Sequence, residues 1–430
     1  MRYTNSMNIY FCGIGGVGLG PLAEIARDAG HTVNGSDSHE SLTTRELEQR
    51  GIPVSLDQTG GYLAYRHHQS KIDWFVYTSA LPDDHPELMK ARELGIYTAK
   101  RDELIKFIIK EKGLKLIAVA GTHGKTTTTA MVVWTFRQLG IPVSFSIGAT
   151  TNFAPSGYLD PSAEYFVYEC DEFDRNFLHF SPYLALVTSI DYDHPDTYPT
   201  QADYTSAFTK FLSQSQHVIM WEHDTVINVT PPKGSWRLND REVMDLLVPG
   251  AQNRANATLV AKACEYLGNG DAVRIKTALE SFPGTNRRFE KLGANLYTDY
   301  GHHPVEIAAT LQMARELSNH VVLVYQPHQN TRQHEVRSGY TTCMALAEEI
   351  YWLPTYQTRE NSDLPILTPE QLIERLSNRS VVTVSEMDDT LWQHIQTARA
   401  NGKLVLCMGA GTIDDWLRER LSAETSAPQN

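Results

Sequence analysis

Long apolar runs, a surplus of basic residues and paired cysteines are all missing from this 430-residue chain. No stretch approaches the eighteen or so consecutive apolar residues that cross a bilayer, so no membrane insertion is expected. Lys and Arg number 38 against 51 Asp and Glu, a net charge of −13, which argues against nucleic acid as a partner. An acidic chain that handles phosphates must therefore gather its positive charge locally. The five cysteines (Cys12, Cys170, Cys264, Cys343 and Cys407) are scattered and show no metal-ligand spacing. An odd, dispersed set fits a reducing compartment without a disulfide framework. The opening "MRYTNSMN" is polar and has no signal-peptide core. These absences lead us to expect a cytoplasmic protein, monomeric or homodimeric, with two or three domains.

What is present is an alternation of short apolar strands and helical patterns, the mark of parallel sheets covered by helices. "NIYFCGI", "HTVNGSD", "DWFVYTSAL" and "GIYTAK" read as strands, and "GPLAEIARDAG" and "HPELMKAREL" as helices. "DELIKFIIKEK" is a helix that ends at Gly113, a natural boundary. A second alternating unit runs through "EYFVYECDEFD" and "YLALVTSIDYDHPDTY", and a third holds "VVLVYQP", "EEIYWLP" and "KLVLCMGAG". The stretch from Trp221 to Val248 has few apolar runs and resists assignment.

Two glycine-rich turns carry the chemistry. Gly13-Ile14-Gly15-Gly16-Val17-Gly18 satisfies G-x-G-x-x-G between a strand and a helix, and Asp37 follows nineteen residues beyond Gly18. That is the dinucleotide fingerprint, and its plain reading is an NAD-binding domain. Its mechanism is more general, because amides at a helix N-terminus accept any diphosphate. The second turn, Gly121-Thr122-His123-Gly124-Lys125-Thr126, is a shortened phosphate loop after the strand "KLIAVA". A lysine there can reach a terminal phosphate, and the next hydroxyl can serve Mg²⁺. ATP is the better candidate for this second turn.

ATP chemistry needs Mg²⁺ on oxygen ligands near the loop. "YECDEFD" offers Glu169, Asp171, Glu172 and Asp174 past a strand, with Glu169 and Asp171 on one strand face. "DYDHPDTY" adds Asp191, Asp193 and His194 at the next strand end. Farther on come Arg287 and Arg288, then Asp299, Tyr300, His302 and His303, then His328 and Arg332. Adjacent histidines point apart in an extended chain, so zinc is disfavoured at His302–His303.

The segments "AGTHGKTTT", "ECDEFDRNFLHF", "TSIDYDHPDTY", "GTNRRFE", "DYGHHPVEI" and "QPHQNTR" together resemble the signatures of the Mur ligases. "CGIGGVGLGPLAEI" and the late Gly409–Gly411 fall in the family's order as well, so the resemblance spans nearly the whole chain. It implies an α/β fold of three domains. These are a Rossmann-like N-terminal domain binding a UDP-sugar (1–112), a central P-loop ATPase α/β domain (113–284) and a Rossmann-like C-terminal domain binding an amino acid (285–430). It further implies an ADP-forming ligase of peptidoglycan precursor synthesis that uses ATP with Mg²⁺, or Mn²⁺ in its place. Such an enzyme phosphorylates the lactyl carboxylate of UDP-N-acetylmuramate and couples it to L-alanine.

Carried over by position, the resemblance puts ATP on Gly121, Thr122, His123, Gly124, Lys125, Thr126 and Thr127, with Asn253 and Asn256 at the adenine. Thr126 and Glu169 would hold one Mg²⁺ and His194 a second. Arg288 and Asp299 would reach phosphate and ribose from the C-terminal domain. Tyr300, His302 and Arg332 would form the amino-acid pocket, with closure around the substrates before chemistry. Gly13, Gly15, Gly16, Val17, Gly18 and Asp37 would take the UDP-sugar. Lys125, Glu169, His194, Arg288 and His302 form the implied catalytic set.

The chain also departs from the family pattern. Gln329 stands where an Arg is usual in "QPHQNTR", and Gln252 where a His is usual. The span from His194 to Pro249 is short, so the central domain is expected to have lost strands. Thr209, with Lys210 beside it, occupies the place of a lysine that some relatives carbamylate, so that modification is not expected. A ligase that joins a whole murein peptide to UDP-N-acetylmuramate, or a catalytically silent UDP-sugar-binding scaffold, are the competing readings.

Overall fold

The computed structural model describes residues 6–16, 18–78, 81–194, 197–227, 229–358 and 360–426. Three sheets organise the chain. The first holds β1 (Asn8–Cys12), β2 (Thr32–Ser36), β3 (Val54–Ser55), β4 (Trp74–Tyr77) and β5 (Tyr97–Lys100) in the order β3-β2-β1-β4-β5. All of its neighbours run parallel. β1 is buried at every position, as a strand covered by helices on both faces requires. The order reverses between β1 and β4, which opens a ligand crevice outside their carboxyl ends.

The second sheet contains β6 (Lys115–Ala120), β7 (Val143–Ser146), β8 (Gly157–Tyr158), β9 (Tyr165–Glu169), β10 (Leu184–Val187), β11 (His217–Trp221) and β12 (Trp236–Leu238). Its order is β12-β11-β10-β6-β9-β7-β8, and β8 alone runs antiparallel, against β7. β6 thus lies between β9 and β10, so the loop after it emerges between two further strand ends. The third sheet is β13 (Glu290–Gly293), β14 (Leu296–Asp299), β15 (Val321–Tyr325), β16 (Glu349–Trp352), β17 (Val382–Val384) and β18 (Leu404–Met408). Its order is β13-β14-β18-β15-β16-β17, with β13 antiparallel to β14. The unassigned region after Trp221 folds as a 3₁₀ turn, the three-residue β12 and a second 3₁₀ turn at Asp240–Glu242. Only Leu238 of β12 is buried, so no apolar period could reveal that strand.

The chain divides into two compact units, Met1–Met244 with Asn256–Pro283, and Asp245–Ala255 with Gly284–Asn430. The first unit holds the first two sheets. One apolar cluster spans both sheets, in which Leu104, Ile105 and Ile108 of the helix Arg101–Lys112 join Ile9, Phe11 and Leu22 on one side and Leu116, Ala118 and Phe166 on the other. Within the second unit, Asp245–Ala255 is tied down by Glu316. That carboxylate accepts the Gly250 N–H (2.9 Å) and pairs with Arg254 (2.8 Å). Asn253 therefore groups with the third sheet, and Asn256 with the second.

None of the described helices is long and apolar enough to cross a membrane. All five cysteines are buried as free thiols.

Candidate active site

β6 delivers the phosphate loop, and β10 pins it. The Thr122 N–H donates to the Ser189 carbonyl (2.9 Å) and the His123 N–H to Ser189 Oγ (3.1 Å). Thr122 Oγ1 accepts the Asp191 N–H (2.8 Å) and lies 2.7 Å from the Tyr204 hydroxyl. Gly121 and Gly124 both have positive φ, 134° and 81°. A side chain on Gly121 would collide with Thr188 Oγ1, and one on Gly124 would lie 2.8 Å from Asn256 Nδ2. Only glycine lets the backbone bend here and leave its amides at the start of the helix Lys125–Leu139. Gly124→Ala is expected to cost at least about 1 kcal/mol from the left-handed backbone alone. A lowered urea midpoint at unchanged slope would register it.

Lys125 is drawn into this turn. Its ammonium donates to the Gly121 carbonyl (2.7 Å), the Thr122 carbonyl (3.2 Å) and Glu172 Oε2 (2.8 Å). Burial opposes the charge, yet Glu172, Asp171 and Glu169 outweigh it and hold the lysine above its ordinary range. The Thr126 hydroxyl donates to Glu169 Oε1 at 3.0 Å, so the two residues expected to share one Mg²⁺ are brought together.

The acids differ from the expected pattern. β9 ends at Glu169, not at Asp171, because the chain turns out of the sheet there. Asp174 and Arg175 then adopt left-handed backbone, φ 52° and 59°. Asp171 and Glu169 therefore do not share a strand face. Instead Asp171, Glu172 and His194 converge, with one ligand atom from each lying within 4.8 Å of the others. His194 Nε2 is 3.6 Å from Glu172 Oε1. Burial pulls the imidazole down, but Glu172 and Asp193 prevail and raise it. Burial likewise pushes Asp171 up, and Lys125 with the Phe173 N–H brings it below the usual carboxylate range. Glu172 is fully buried at the centre of this group. It stood among four acids in the sequence, where nothing separated it from the other three. Thr126 and Glu169 on one side, with Asp171, Glu172 and His194 on the other, present the oxygen-rich donors that suit Mg²⁺.

The first glycine turn is braced from β2. The Gly13 and Ile14 N–H groups both donate to the Ser36 carbonyl (2.8 and 2.9 Å), and the Gly15 N–H donates to Asp37 Oδ2 (2.8 Å). Gly16 closes the turn on the Gly13 carbonyl, and Val17 lies outside the described residues. A methyl group on Gly18 would stand 2.9 Å from Nη1 of Arg101, the first residue of the helix Arg101–Lys112. Tyr168, Asp102, Asp171 and Glu169 act on Arg101 electrostatically and hold it above its ordinary range, so a guanidinium beside the first glycine turn also senses the carboxylates near the second. Sequence reasoning missed it, since 83 residues separate it from Gly18.

In the second unit, Asp299 ends β14 and accepts the Phe289 and Gly301 N–H groups at 2.7 Å each. Burial pushes its carboxyl up to about 6 against the pull of Arg288. The guanidinium groups of Arg287 and Arg288 lie 4.8 and 5.0 Å from the Tyr300 ring centre. His302 packs edge-on to Tyr300 and to His328, and His303 turns away to cap the following helix. Gly409 and Gly411 close over Gln326, where any side chain would collide with it. Gln329 carries φ 59°, and Arg332 sits one turn into the helix Asn330–Val336. Glu360 accepts the Asn330 and Thr331 N–H groups of that helix (2.9 and 3.0 Å), a contact no sequence pattern announced.

Burial pushes His302 down to about 4, with Arg332 and His328 adding to it against Glu306. Its imidazole is expected to titrate near pH 4 by NMR, not near the ordinary 6.5. Between those values the unfolded chain binds a proton the folded one refuses, so His302 erodes stability as pH falls through that window.

The comparisons with known proteins follow this geometry. Residues 8–112 match the Mur ligase family catalytic domain, 119–236 the Mur ligase middle domain and 287–411 the Mur ligase glutamate ligase domain. The UDP-N-acetylmuramate–L-alanine ligase of Desulfosudis oleivorans is 32% identical over 96% of this chain and 97% of its own length. The chain belongs to the Mur ligase family. The enzyme of the same name from Frankia casuarinae is 30% identical over 96% of this chain and 97% of its own length. Among solved Mur ligases, UDP-N-acetylmuramate–alanine ligase from Thermotoga maritima superposes with a TM-score of 0.76 at 25% identity, covering 98% of this chain and all of that one. The murein peptide ligase of Psychrobacter arcticus shares the fold, with a TM-score of 0.66 at 24% identity over 99% of this chain. The three-domain α/β architecture expected from the resemblance is thus the family's own.

Proposed function

We propose that this Mur ligase joins L-alanine to the lactyl carboxylate of UDP-N-acetylmuramate, with ATP consumed to ADP, in cytoplasmic peptidoglycan precursor synthesis. The observation that carries this reading is the convergence at the second glycine turn. One ammonium, one hydroxyl and three carboxylates meet where helix amides face outward, and relatives named for this reaction align along nearly the whole chain. A carboxylate is a poor electrophile. Phosphorylation makes an O–P bond to the lactyl oxygen while ADP departs, and the amine nitrogen then attacks the acyl carbon and expels inorganic phosphate.

The chain's own groups serve those steps in order. Lys125 turns from the loop carbonyls and Glu172 toward the terminal phosphates and offsets the repulsion between phosphate and carboxylate. Thr126 with Glu169, and His194 with its neighbouring acids, would hold Mg²⁺, which supplies charge neutralisation when bound. The first glycine turn, with Asp37 bracing it, takes the UDP diphosphate. Asn253 and Asn256 take adenine, and Arg288 and Asp299 take phosphate and ribose. Tyr300 and Arg332 hold the amino acid. His302, neutral above about pH 4, donates from Nδ1 to the Tyr300 carbonyl (3.2 Å) and leaves Nε2 to accept the proton lost by the amine.

An ADP-release screen of the amino acids with UDP-N-acetylmuramate present tests this. L-alanine should stimulate release most. Stimulation by a murein tripeptide but not by L-alanine would transfer the chain to the peptide-joining reaction, and no release with any acceptor would make it a binding protein.

A further inference from the structure

The end of β1 carries a second group of ligating side chains that the ligase reaction does not use. Cys12 closes β1 and pairs in register with Ser36 of β2 and Tyr77 of β4, so its thiol lies at the switch-point end of the first sheet. His85 precedes the helix Pro86–Glu93, and Glu87 sits in that helix's first turn. One ligand atom from each of Cys12, His85 and Glu87 lies within 4.8 Å of the other two. Cys12 Sγ and His85 Nδ1 are 3.9 Å apart. A tetrahedral ion bound at usual Zn–S and Zn–N lengths would separate those atoms by roughly 3.6 Å. A few tenths of an ångström of movement would close the site.

The charges point the same way. Glu87 is fully buried, yet among the described residues no ion pair engages it. Its Oε1 accepts the Tyr10 hydroxyl at 2.6 Å and its Oε2 the Ser36 hydroxyl, with the Cys12 thiol beside them. Each hydroxyl bond leaves a further lone pair on its oxygen. A buried carboxylate without a cation is costly. A thiolate, a carboxylate and a neutral imidazole around a dication sum to zero charge.

We propose that Cys12, His85 and Glu87 form a binding site for a borderline-soft divalent cation of the Zn²⁺ class, tying the end of β1 to the start of the helix Pro86–Glu93. The donor set of one sulfur, one nitrogen and one oxygen suits Zn²⁺ and rejects Mg²⁺. The sulfur also separates this site from the Asp171–Glu172–His194 group. Gln58 Nε2 donates to Cys12 Sγ at 3.8 Å. Sequence spacing could not show the site, because its ligands are 73 residues apart.

Chelator-treated full-length protein, with Mg²⁺ in excess, is titrated with Co²⁺ as the optical probe. The expected result is a near-ultraviolet thiolate-to-cobalt band that saturates at one ion per chain and is displaced by Zn²⁺. Loss of a ligand should cost more than the 10–100-fold that losing a supporting hydrogen bond costs, so Cys12→Ser and His85→Asn should weaken binding by over about 100-fold. Cys170→Ser should retain the band. A band that is absent in the parent protein, unchanged in Cys12→Ser, or lost only in Cys170→Ser overturns the site. Should either ligand variant fail to fold, anomalous scattering from zinc-soaked crystals of the unaltered protein decides. A peak bonded to Cys12 Sγ and His85 Nδ1 upholds the assignment, and its absence there ends it.

Discussion

Lys125→Ala is expected to lower ADP release with UDP-N-acetylmuramate and L-alanine by roughly 1000-fold, the upper end for losing one preorganised electrostatic group. Among the described residues the lysine is the side-chain cation that the loop carbonyls hold, at 2.7 and 3.2 Å, so its loss is expected to remove the charge that serves the terminal phosphates. The substitution also acts on folding. It leaves Glu172, fully buried, without the ammonium that now contacts it at 2.8 Å. Breaking one side of a buried pair costs about 3–5 kcal/mol. A fall in activity could then report unfolding rather than lost chemistry. Lys125→Met combined with Glu172→Gln separates the two. It removes both charges, so the thermal midpoint should recover most of its loss while ADP release stays low. Full ADP release from Lys125→Ala would place the ATP site elsewhere.

Arg332→Ala should act on a different quantity. A charge-assisted hydrogen bond to a carboxylate contributes about 1.5–3 kcal/mol, equivalent to roughly 10–150-fold in binding. The KM for L-alanine is therefore expected to rise about 50-fold, while the KM for ATP stays within about twofold of its parent value. Arg332→Lys should recover only part of the loss, because a point charge cannot reproduce the planar fork that grips a carboxylate. An equal rise in both KM values would show that Arg332 supports the second unit as a whole rather than the amino acid. Gln329, at φ 59° just before the helix that carries Arg332, leaves this arginine as the cation that "QPHQNTR" supplies.

The elements that sequence reveals here are those whose physics is local. "KLIAVA" is buried from Leu116 to Ala120, and the turn after it needs glycine at two positive-φ positions. Both features are written in consecutive residues, so the phosphate loop was legible. The pairing of Thr126 with Glu169 could be placed only through the family resemblance, since it joins two strand ends. Glu172 was not legible as the partner of Lys125. The choice among Glu169, Asp171, Glu172 and Asp174 depends on the exit of β9 from the sheet after Glu169 and on the left-handed backbone that follows at Asp174 and Arg175. Arg101 was hidden for the opposite reason. As the first residue of an ordinary helix it looks like a solvated charge, and only packing brings it beside Gly18. β12 escaped because a three-residue edge strand with one buried side chain has no period to detect.

The shared apolar cluster of the first two sheets sets a limit on dissection. Leu104, Ile105 and Ile108 are covered by partners from both sides of Lys112. A fragment ending at that lysine would present a raw hydrocarbon stripe to solvent, and so would its complement beginning at Gly113. Neither half is expected to survive as a soluble recombinant piece. Swapping residues 1–112 between relatives would succeed only if the facing residues beyond Lys112 travel with them.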